Sequence, residues 1–244
     1  MARRRTHGVD VMRKDSKRQM GSKLLRRVII ILSGTLFAVY AAYNLFIVVK
    51  DGTTLSAEGM FISIVVALLF AVFAFFGWTA GVAQDKPLFS VIRRIFFLVA
   101  LLAVFLLKLR MAWQVADYFD PSLPYTVLYT VSYVLTQLAL LLLLVFYFFI
   151  LNNYEQFPRA SVLLPLTSLL LFVCSFVLEI ILFFAFGIIT EASPLRTLVI
   201  RPVFYLGFIG LSVYFLIPAP VSQEQDGYTN IGSDDTFIDG NVYE

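Results

Sequence analysis

Residues 28–49 read VIIILSGTLFAVYAAYNLFIVV, a run of about 22 residues that contains no charged side chain. A helix needs roughly 20 apolar residues to cross the ~30 Å hydrocarbon core of a bilayer. The run is also longer than the roughly 7 to 15 apolar residues found in a cleavable signal peptide. It therefore predicts a transmembrane helix that is retained in the protein.

Five further apolar segments of similar length follow along the chain. They are residues 60–82, 92–114, 125–150, 161–187 and 197–217. Short polar joints separate them, so consecutive helices are expected to pack as antiparallel neighbours. Only 14% of the 244 residues are charged and 60% are hydrophobic, whereas a soluble domain carries about 25% charged residues. The predicted fold class is all-α: a polytopic membrane protein with six transmembrane helices spanning residues 28–217.

The distribution of Lys and Arg sets the expected orientation, because cytoplasmic loops carry an excess of these residues. A cytoplasmic N-terminus places 14 of the 19 Lys and Arg residues on the cytoplasmic side and five outside. An even number of spans then returns the C-terminus to the cytoplasm. We predict a protein of the cell membrane with both termini on the cytoplasmic side.

The two predicted tails have opposite charges. Residues 1–27 hold ten Lys or Arg, while residues 218–244 hold six Asp or Glu and no Lys or Arg. The basic tail suits anionic lipid headgroups, although the simpler explanation is that it only fixes the topology. The acidic tail has too few apolar residues to fold alone, so we expect it to be disordered. Nucleic-acid binding is not indicated, because the aromatic residues lie in the predicted spans and not among the basic ones.

Two pairs of similar segments favour an internal repeat. PLFSVIRRIFFL (87–98) resembles PLRTLVIRPVFYL (194–206) when one residue is gapped, and FAFFG (73–77) resembles FFAFG (183–187). A repeat of three spans would insert upside down relative to the first copy, giving the 3+3 inverted topology common among transporters. The alternative is chance, since apolar segments of similar composition align with one another.

The first span also carries Ala38 and Ala42, a pair of small residues one helical turn apart. Such pairs let two transmembrane helices approach closely. We therefore expect another helix to pack against this part of the span.

Ionisable side chains inside the hydrocarbon are costly, so their positions carry information. In the predicted topology Lys108 and Arg110 lie in the outer third of the third span. Glu179 lies about 16 residues into the fifth span, or roughly 24 Å at 1.5 Å per residue. Arg201 opens the sixth span. These four residues are predicted to lie at similar depths toward the outer leaflet.

Polar residues also form stripes on two helices. In the fourth span the spacing of four, three and four residues places four side chains on one face: Thr126, Thr130, Tyr133 and Gln137. In the fifth span Ser168, Ser175 and Glu179 share a face. Polarity is thus concentrated in the outer halves of the spans.

Two interpretations of this polar cluster remain open. In the first, spans three to six wall an outward-facing cavity that binds an anionic or zwitterionic solute, because three cations face one acid. In the second, the cations reach the headgroups and Glu179 forms one ion pair that joins two helices. The candidate ligand-binding or ion-pair residues are the same in both: Glu179, Lys108, Arg110, Arg201, Gln137, Tyr133 and Thr130.

These observations favour small-solute transport or solute binding over catalysis. One histidine and one cysteine, His7 and Cys174, leave few ways to build a metal cluster or a catalytic pair. No zinc-protease or serine-hydrolase motif is present, and no cofactor is predicted. The alternative function is a scaffold or regulatory subunit, which would bind a membrane-protein partner or a second copy of the chain.

Overall fold

A computed structural model describes most of the chain. The described backbone comprises residues 3–51, 56–82, 87–116, 123–150, 157–186 and 194–217. Side chains are described for residues 21–50, 56–80, 91–110, 123–149, 157–186 and 199–217. The predicted acidic tail, residues 218–244, lies outside the described residues.

Six α-helices and a short π-helix make up the described backbone, which contains no strand. The helices are α1 (Arg3–Asp51), α2 (Ala57–Val82), α3 (Pro87–Ala116), α4 (Pro124–Val145), α5 (Pro158–Phe186) and α6 (Pro194–Leu216). The π-helix Phe146–Ile150 continues α4. Four of the six helices begin at a proline, which lacks the N–H that a first helical turn leaves unbonded. The predicted all-α fold class is confirmed.

Five helical segments of the described chain are long and apolar enough to cross a membrane. They are Gly21–Lys50, Ala57–Ala80, Pro124–Phe149, Pro158–Phe186 and Val199–Leu216. Large apolar side chains are exposed on them, including Phe61, Leu68 and Phe184. A soluble protein rarely exposes such an extended apolar surface, so these helices indicate an integral membrane protein.

The third predicted span, α3, is absent from this set of five. The side chains of α3 are described only for residues 91–110, and this stretch includes four cations, Arg93, Arg94, Lys108 and Arg110. The sixth span and the inverted repeat therefore stay predictions.

Residues Leu24–Ile217 form one compact unit, and the beginning of α1, up to Lys23, belongs to a separate one. Within Leu24–Ile217, α4 packs mainly against α5, and α5 against α6. Contacts between opposite ends of helices show the antiparallel order: Arg26 near the start of the bundle lies over the ring of Tyr214 near the end of α6.

Two ends of the bundle can therefore be named. The Arg93 end is where α1, α3 and α5 enter the bundle. The Arg201 end is where α2, α4 and α6 begin, and it includes the last turns of α1, α3 and α5. Lys108 of α3 lies over the ring of Phe204 of α6 at this Arg201 end, with 4.8 Å between the ammonium and the ring centroid.

Helices α1 and α2 cross closely at two glycines. A Cβ atom added at Gly77 would lie 2.6 Å from the Cα atom of Gly34, so the two backbones touch. Beside this crossing the indole N–H of Trp78 donates a hydrogen bond to the hydroxyl of Thr35 at 3.3 Å. The close approach of α1 lies at Gly34 rather than at the Ala38–Ala42 pair, and Ala42 is exposed.

Phenylalanine rings fill the centre of the bundle. Phe37 of α1 has its ring centroid 5.3 Å from that of Phe73 of α2 and 5.1 Å from that of Phe208 of α6. Phe97 of α3 lies 5.3 Å from Phe73, and Phe172 of α5 stacks on Phe208 at 5.2 Å. Offset and edge-to-face contacts of this kind add to the packing energy of buried rings. This aromatic core holds four helices around α6 and leaves the polar groups to one side.

Candidate functional site

A buried ion pair joins α5 and α6. The guanidinium Nη1 of Arg201 donates a hydrogen bond to Oε1 of Glu179 at 2.7 Å. Only 9% of the Arg201 side chain and 6% of the Glu179 side chain are exposed. The antiparallel packing of α5 and α6 places the fifth-span carboxylate opposite the start of the sixth. Arg201 is therefore the cation that neutralises Glu179.

Hydroxyl groups surround this carboxylate. The phenol of Tyr205 donates to Oε1 of Glu179 at 3.2 Å. Tyr205 lies one turn after Arg201, so both side chains leave the same face of α6. The hydroxyl of Ser132 on α4 makes a longer contact of 3.5 Å with the same oxygen. Oε1 of Glu179 thus contacts side chains of both α4 and α6.

Three small hydroxyl residues extend the network between α4 and α5. Ser175 donates to the backbone carbonyl of Ser132 at 2.8 Å, and its hydroxyl lies 2.6 Å from that of Thr136. Tyr205 lies 3.1 Å from the Ser175 hydroxyl and 3.2 Å from that of Thr136. We call Ser132, Thr136, Ser175 and Tyr205 the hydroxyl cluster. It ties α4, α5 and α6 together beside the ion pair.

The second carboxylate oxygen of Glu179 has a different environment. Oε2 is buried and has no hydrogen-bond partner among the described residues. Glu179 and Arg201 line a small cavity of about 30 Å³ in the groove between α5 and α6, which is about the volume that one water molecule occupies in the liquid. The remaining lining is apolar: Phe176, Ile180, Phe183, Phe184 and Pro202.

A larger cavity of about 160 Å³ lies at the Arg201 end, between α1, α2, α3 and α6. Its polar lining residues are Tyr40, Asn44, Ser63, Lys108 and Arg201. Two of these residues are cations, and none of the lining residues that the structure describes is acidic. The walls differ from the expected ones, since α1 and α2 contribute and none of the described lining residues comes from α4 or α5.

Arg201 lines both cavities, so the ion pair forms the partition between them. Pro202 follows directly and lies inside α6. A proline within a helix removes one backbone hydrogen bond. The helix is therefore weakened next to the residue that separates the two cavities.

Lys108 faces the larger cavity from α3. Its ammonium lies 5.6 Å from the ring centroid of Tyr133, in addition to its contact with Phe204. Aromatic faces attract a cation and stabilise it where water is scarce. Lys108 and Arg201 thus bring two positive charges to one cavity.

The other candidate residues from the sequence are distributed around this site. Arg110 lies away from the ion pair and instead forms an exposed salt bridge with Glu58 of α2. The hydroxyl of Thr130 donates to the carbonyl of Thr126 in its own helix at 2.8 Å. Tyr133 is buried against Lys108, and its hydroxyl has no hydrogen-bond partner in the described part of the chain.

Gln137 is the least explained of the candidates. Both polar atoms of its side-chain amide are buried and lack a hydrogen-bond partner among the residues whose side chains are described. It does not contact Glu179 through any hydrogen bond. Gln137 therefore extends the polar face of α4 beyond the hydroxyl cluster without joining the ion pair.

Sequence reasoning missed Ser132 and Thr136. The two residues lie one turn apart on α4, on a face next to the predicted stripe. The available signal was that pair of small hydroxyl residues at four-residue spacing, but serine and threonine in helices often bond only to their own backbone. Thr136 does so as well, donating to the carbonyl of Ser132 at 2.9 Å.

The described residues contain no group of three or more His, Cys, Asp or Glu side chains that could hold a metal ion. No protein-family profile, curated protein or solved structure matches the chain. The fold and the site define the class: an integral membrane protein with a buried ion pair between two cavities.

Proposed function

We propose that this protein binds a small anionic solute in the larger cavity and transports it across the membrane. The observation that carries the proposal is the charge of that cavity. Lys108 and Arg201 both line it, and none of its described lining residues is acidic. Two cations that face one cavity attract a small anion.

The size of the cavity limits the solute. A volume of about 160 Å³ equals roughly five water molecules at ~30 Å³ each. Anions with few non-hydrogen atoms fit this space, such as a halide, a short carboxylate or a phosphate. Phe70, Val104 and Phe204 supply an apolar wall, which suits a small organic anion as well as an inorganic one.

The transport part of the proposal rests on the partition between the cavities. Because Arg201 lines both cavities, a shift of α6 near Pro202 would move its guanidinium from one cavity toward the other. In the proposed topology both termini are cytoplasmic and the Arg201 end faces outward across the cell membrane. The predicted inverted repeat would make Arg93 the counterpart of Arg201; Arg93 is also buried, at the opposite end of the bundle.

The test is anion-dependent stabilisation of the purified protein in detergent. Thermal unfolding would be followed with sodium chloride, acetate, methanesulfonate or phosphate, with sodium gluconate keeping the ionic strength constant because gluconate is too large for the cavity. We expect at least one small anion to stabilise the protein by about 1.4 kcal/mol at ten times its Kd. Lys108→Gln and Arg201→Gln should remove this effect.

Arg110→Gln is the matched control. It removes one positive charge near the same end of the bundle, but Arg110 is exposed and paired with Glu58. Anion stabilisation should persist in this variant. Absence of any anion effect in the wild-type protein would contradict the proposed function.

A scaffold or regulatory subunit is the second candidate function. It is favoured by the way the hydroxyl cluster and the ion pair bond to one another and join α4, α5 and α6. Such a network needs no solute. This role would be supported by co-purification of another membrane protein together with an absence of anion stabilisation.

A further inference from the structure

We infer that Glu179 is a proton-binding site and that Arg201 couples it to the anion, so that the solute binds together with a proton. The inference rests on the proposed function and adds the chemistry of a second substrate. It comes from three features of the site: a carboxylate with one unpartnered oxygen, a water-sized cavity beside it, and an arginine shared by both cavities.

The two carboxylate oxygens of Glu179 have different hydrogen-bond environments. Oε1 accepts from Arg201 at 2.7 Å and from Tyr205 at 3.2 Å. Oε2 is buried and accepts no hydrogen bond from the described residues. A carboxylate built only for an ion pair would be expected to use both oxygens, since buried polar atoms are normally hydrogen-bonded. Oε2 is the atom to which a proton can add without breaking a bond.

The small cavity gives a proton donor a place beside this carboxylate. Glu179 and Arg201 are its polar lining residues, and its volume of about 30 Å³ is sufficient for a single water molecule. A hydronium ion that reaches this cavity transfers one proton to Oε2 and becomes water, and the carboxylate becomes a neutral carboxylic acid. No other bond of Glu179 changes.

The sign of the coupling follows from charge. An ionised Glu179 places a negative charge 2.7 Å from the guanidinium of Arg201, which weakens the attraction between Arg201 and an anion in the larger cavity. Protonation of Glu179 removes that negative charge, so the anion binds more strongly. By linkage, a bound anion must favour protonation by the same factor. The anion and the proton therefore bind with positive cooperativity.

The other charged or titratable groups around Glu179 are consistent with this role. Arg201 and Tyr205 face it from α6, and Tyr133 lies within electrostatic range on α4. Lys108 of α3 lies over the Tyr133 ring. Glu179 is the one acid in this set, so the proton has one acceptor that is ordinarily ionised near neutral pH.

The experiment measures protons and anions on the same wild-type sample. Chloride or methanesulfonate, which stay ionised throughout the range, would be added to protein in weakly buffered detergent solution containing a pH-sensitive dye. We expect uptake of a fraction of one proton per bound anion, which by linkage corresponds to an anion affinity that rises about tenfold from about pH 8 to about pH 5.

Two variants identify the residue that takes up the proton. Glu179→Gln resembles the protonated side chain, so it should bind the anion without proton uptake and with an affinity that does not change with pH. Glu58→Gln is the matched control: it removes an exposed acid at the same end of the bundle and should retain wild-type proton uptake. If Glu179→Gln does not fold, the proton count of the wild-type protein decides alone.

The outcomes separate this inference from the proposed function. Anion binding without proton uptake in the wild-type protein would overturn the inference and leave the proposed function standing. Proton uptake that persists in Glu179→Gln would also overturn it. A wild-type protein that binds no small anion would remove both.

Discussion

The ion pair between Glu179 and Arg201 combines a desolvation cost with an electrostatic attraction. Removing each charge from water costs several kcal/mol even after the structure relaxes, and their attraction at 2.7 Å offsets that cost only while both are present. The pair is therefore weak evidence for added stability. It is strong evidence that neither residue can be removed alone without leaving a buried charge uncompensated.

This asymmetry gives a prediction at the scale of the residue. Glu179→Ala should lower the free energy of unfolding by about 3–5 kcal/mol, because Arg201 is left buried without its carboxylate. The double variant Glu179→Leu with Arg201→Met should recover most of that loss. Unfolding of the purified protein in increasing concentrations of SDS would measure both. Equal losses in the single and double variants would contradict the argument.

The sequence indicated Glu179 because a carboxylate deep in an apolar run needs a partner. It did not indicate which partner, since Lys108, Arg110 and Arg201 were all at a suitable depth. Selecting Arg201 requires knowing that α5 and α6 are neighbours and which of their faces meet. Arg110 was predicted within the cluster, but it forms a salt bridge with Glu58 in the first turn of α2. That contact depends on the packing of α2 against α3.

At the scale of the helix, the length of each apolar segment predicted that the segment is a helix. It did not predict where two helices cross. The pair Ala38 and Ala42 pointed to the first span as a close-packing helix. The actual contact uses Gly34 and Gly77, two glycines on different helices that no spacing rule within one segment connects. Proline begins α3, α4, α5 and α6, and its effect on the first helical turn is local to each segment.

The crossing of α1 and α2 should be sensitive to a single methyl group. We expect Gly77→Ala to destabilise the protein by about 1–3 kcal/mol, the usual cost of overpacking, because its Cβ would lie 2.6 Å from Gly34 Cα and 2.7 Å from the carbonyl oxygen of Ile30. Neither backbone can move away without separating the helices. Thermal unfolding in detergent would measure the loss.

Gly21→Ala provides the matched control for this crossing. It adds the same methyl group to α1, one of the two crossing helices, at a position where nothing lies within 4 Å of the new Cβ atom. Since alanine has the higher helix propensity, this variant should be as stable as the wild-type protein or slightly more stable. A similar loss in both variants would refute the close crossing as the cause.

At the scale of the whole molecule, positive charge is concentrated at one end of the bundle. The basic residues of known placement at the Arg93 end are Lys23, Arg26, Arg27, Arg93, Arg94 and Arg159, against Lys50, Lys108, Arg110 and Arg201 toward the other end. Composition and this asymmetry were sufficient to predict a helical membrane protein. They were not sufficient to prove that α3 crosses, because the described residues 91–110 of α3 include four cations.

Cysteine labelling would determine whether α3 spans the bilayer. In a Cys174→Ala background, single cysteines would be placed at Lys23, Leu123 and Phe157, which are exposed and lie near the start of the apolar segment of α1, before α4 and before α5. We expect a membrane-impermeant maleimide to label Leu123→Cys in intact cells, and Lys23→Cys and Phe157→Cys only after permeabilisation, because the basic end faces the cytoplasm. Three crossings, by α1, α2 and α3, separate Lys23 from Leu123. If both were labelled from the same side, α3 would not cross, and Lys108 would no longer lie in the wall of an outward-facing cavity.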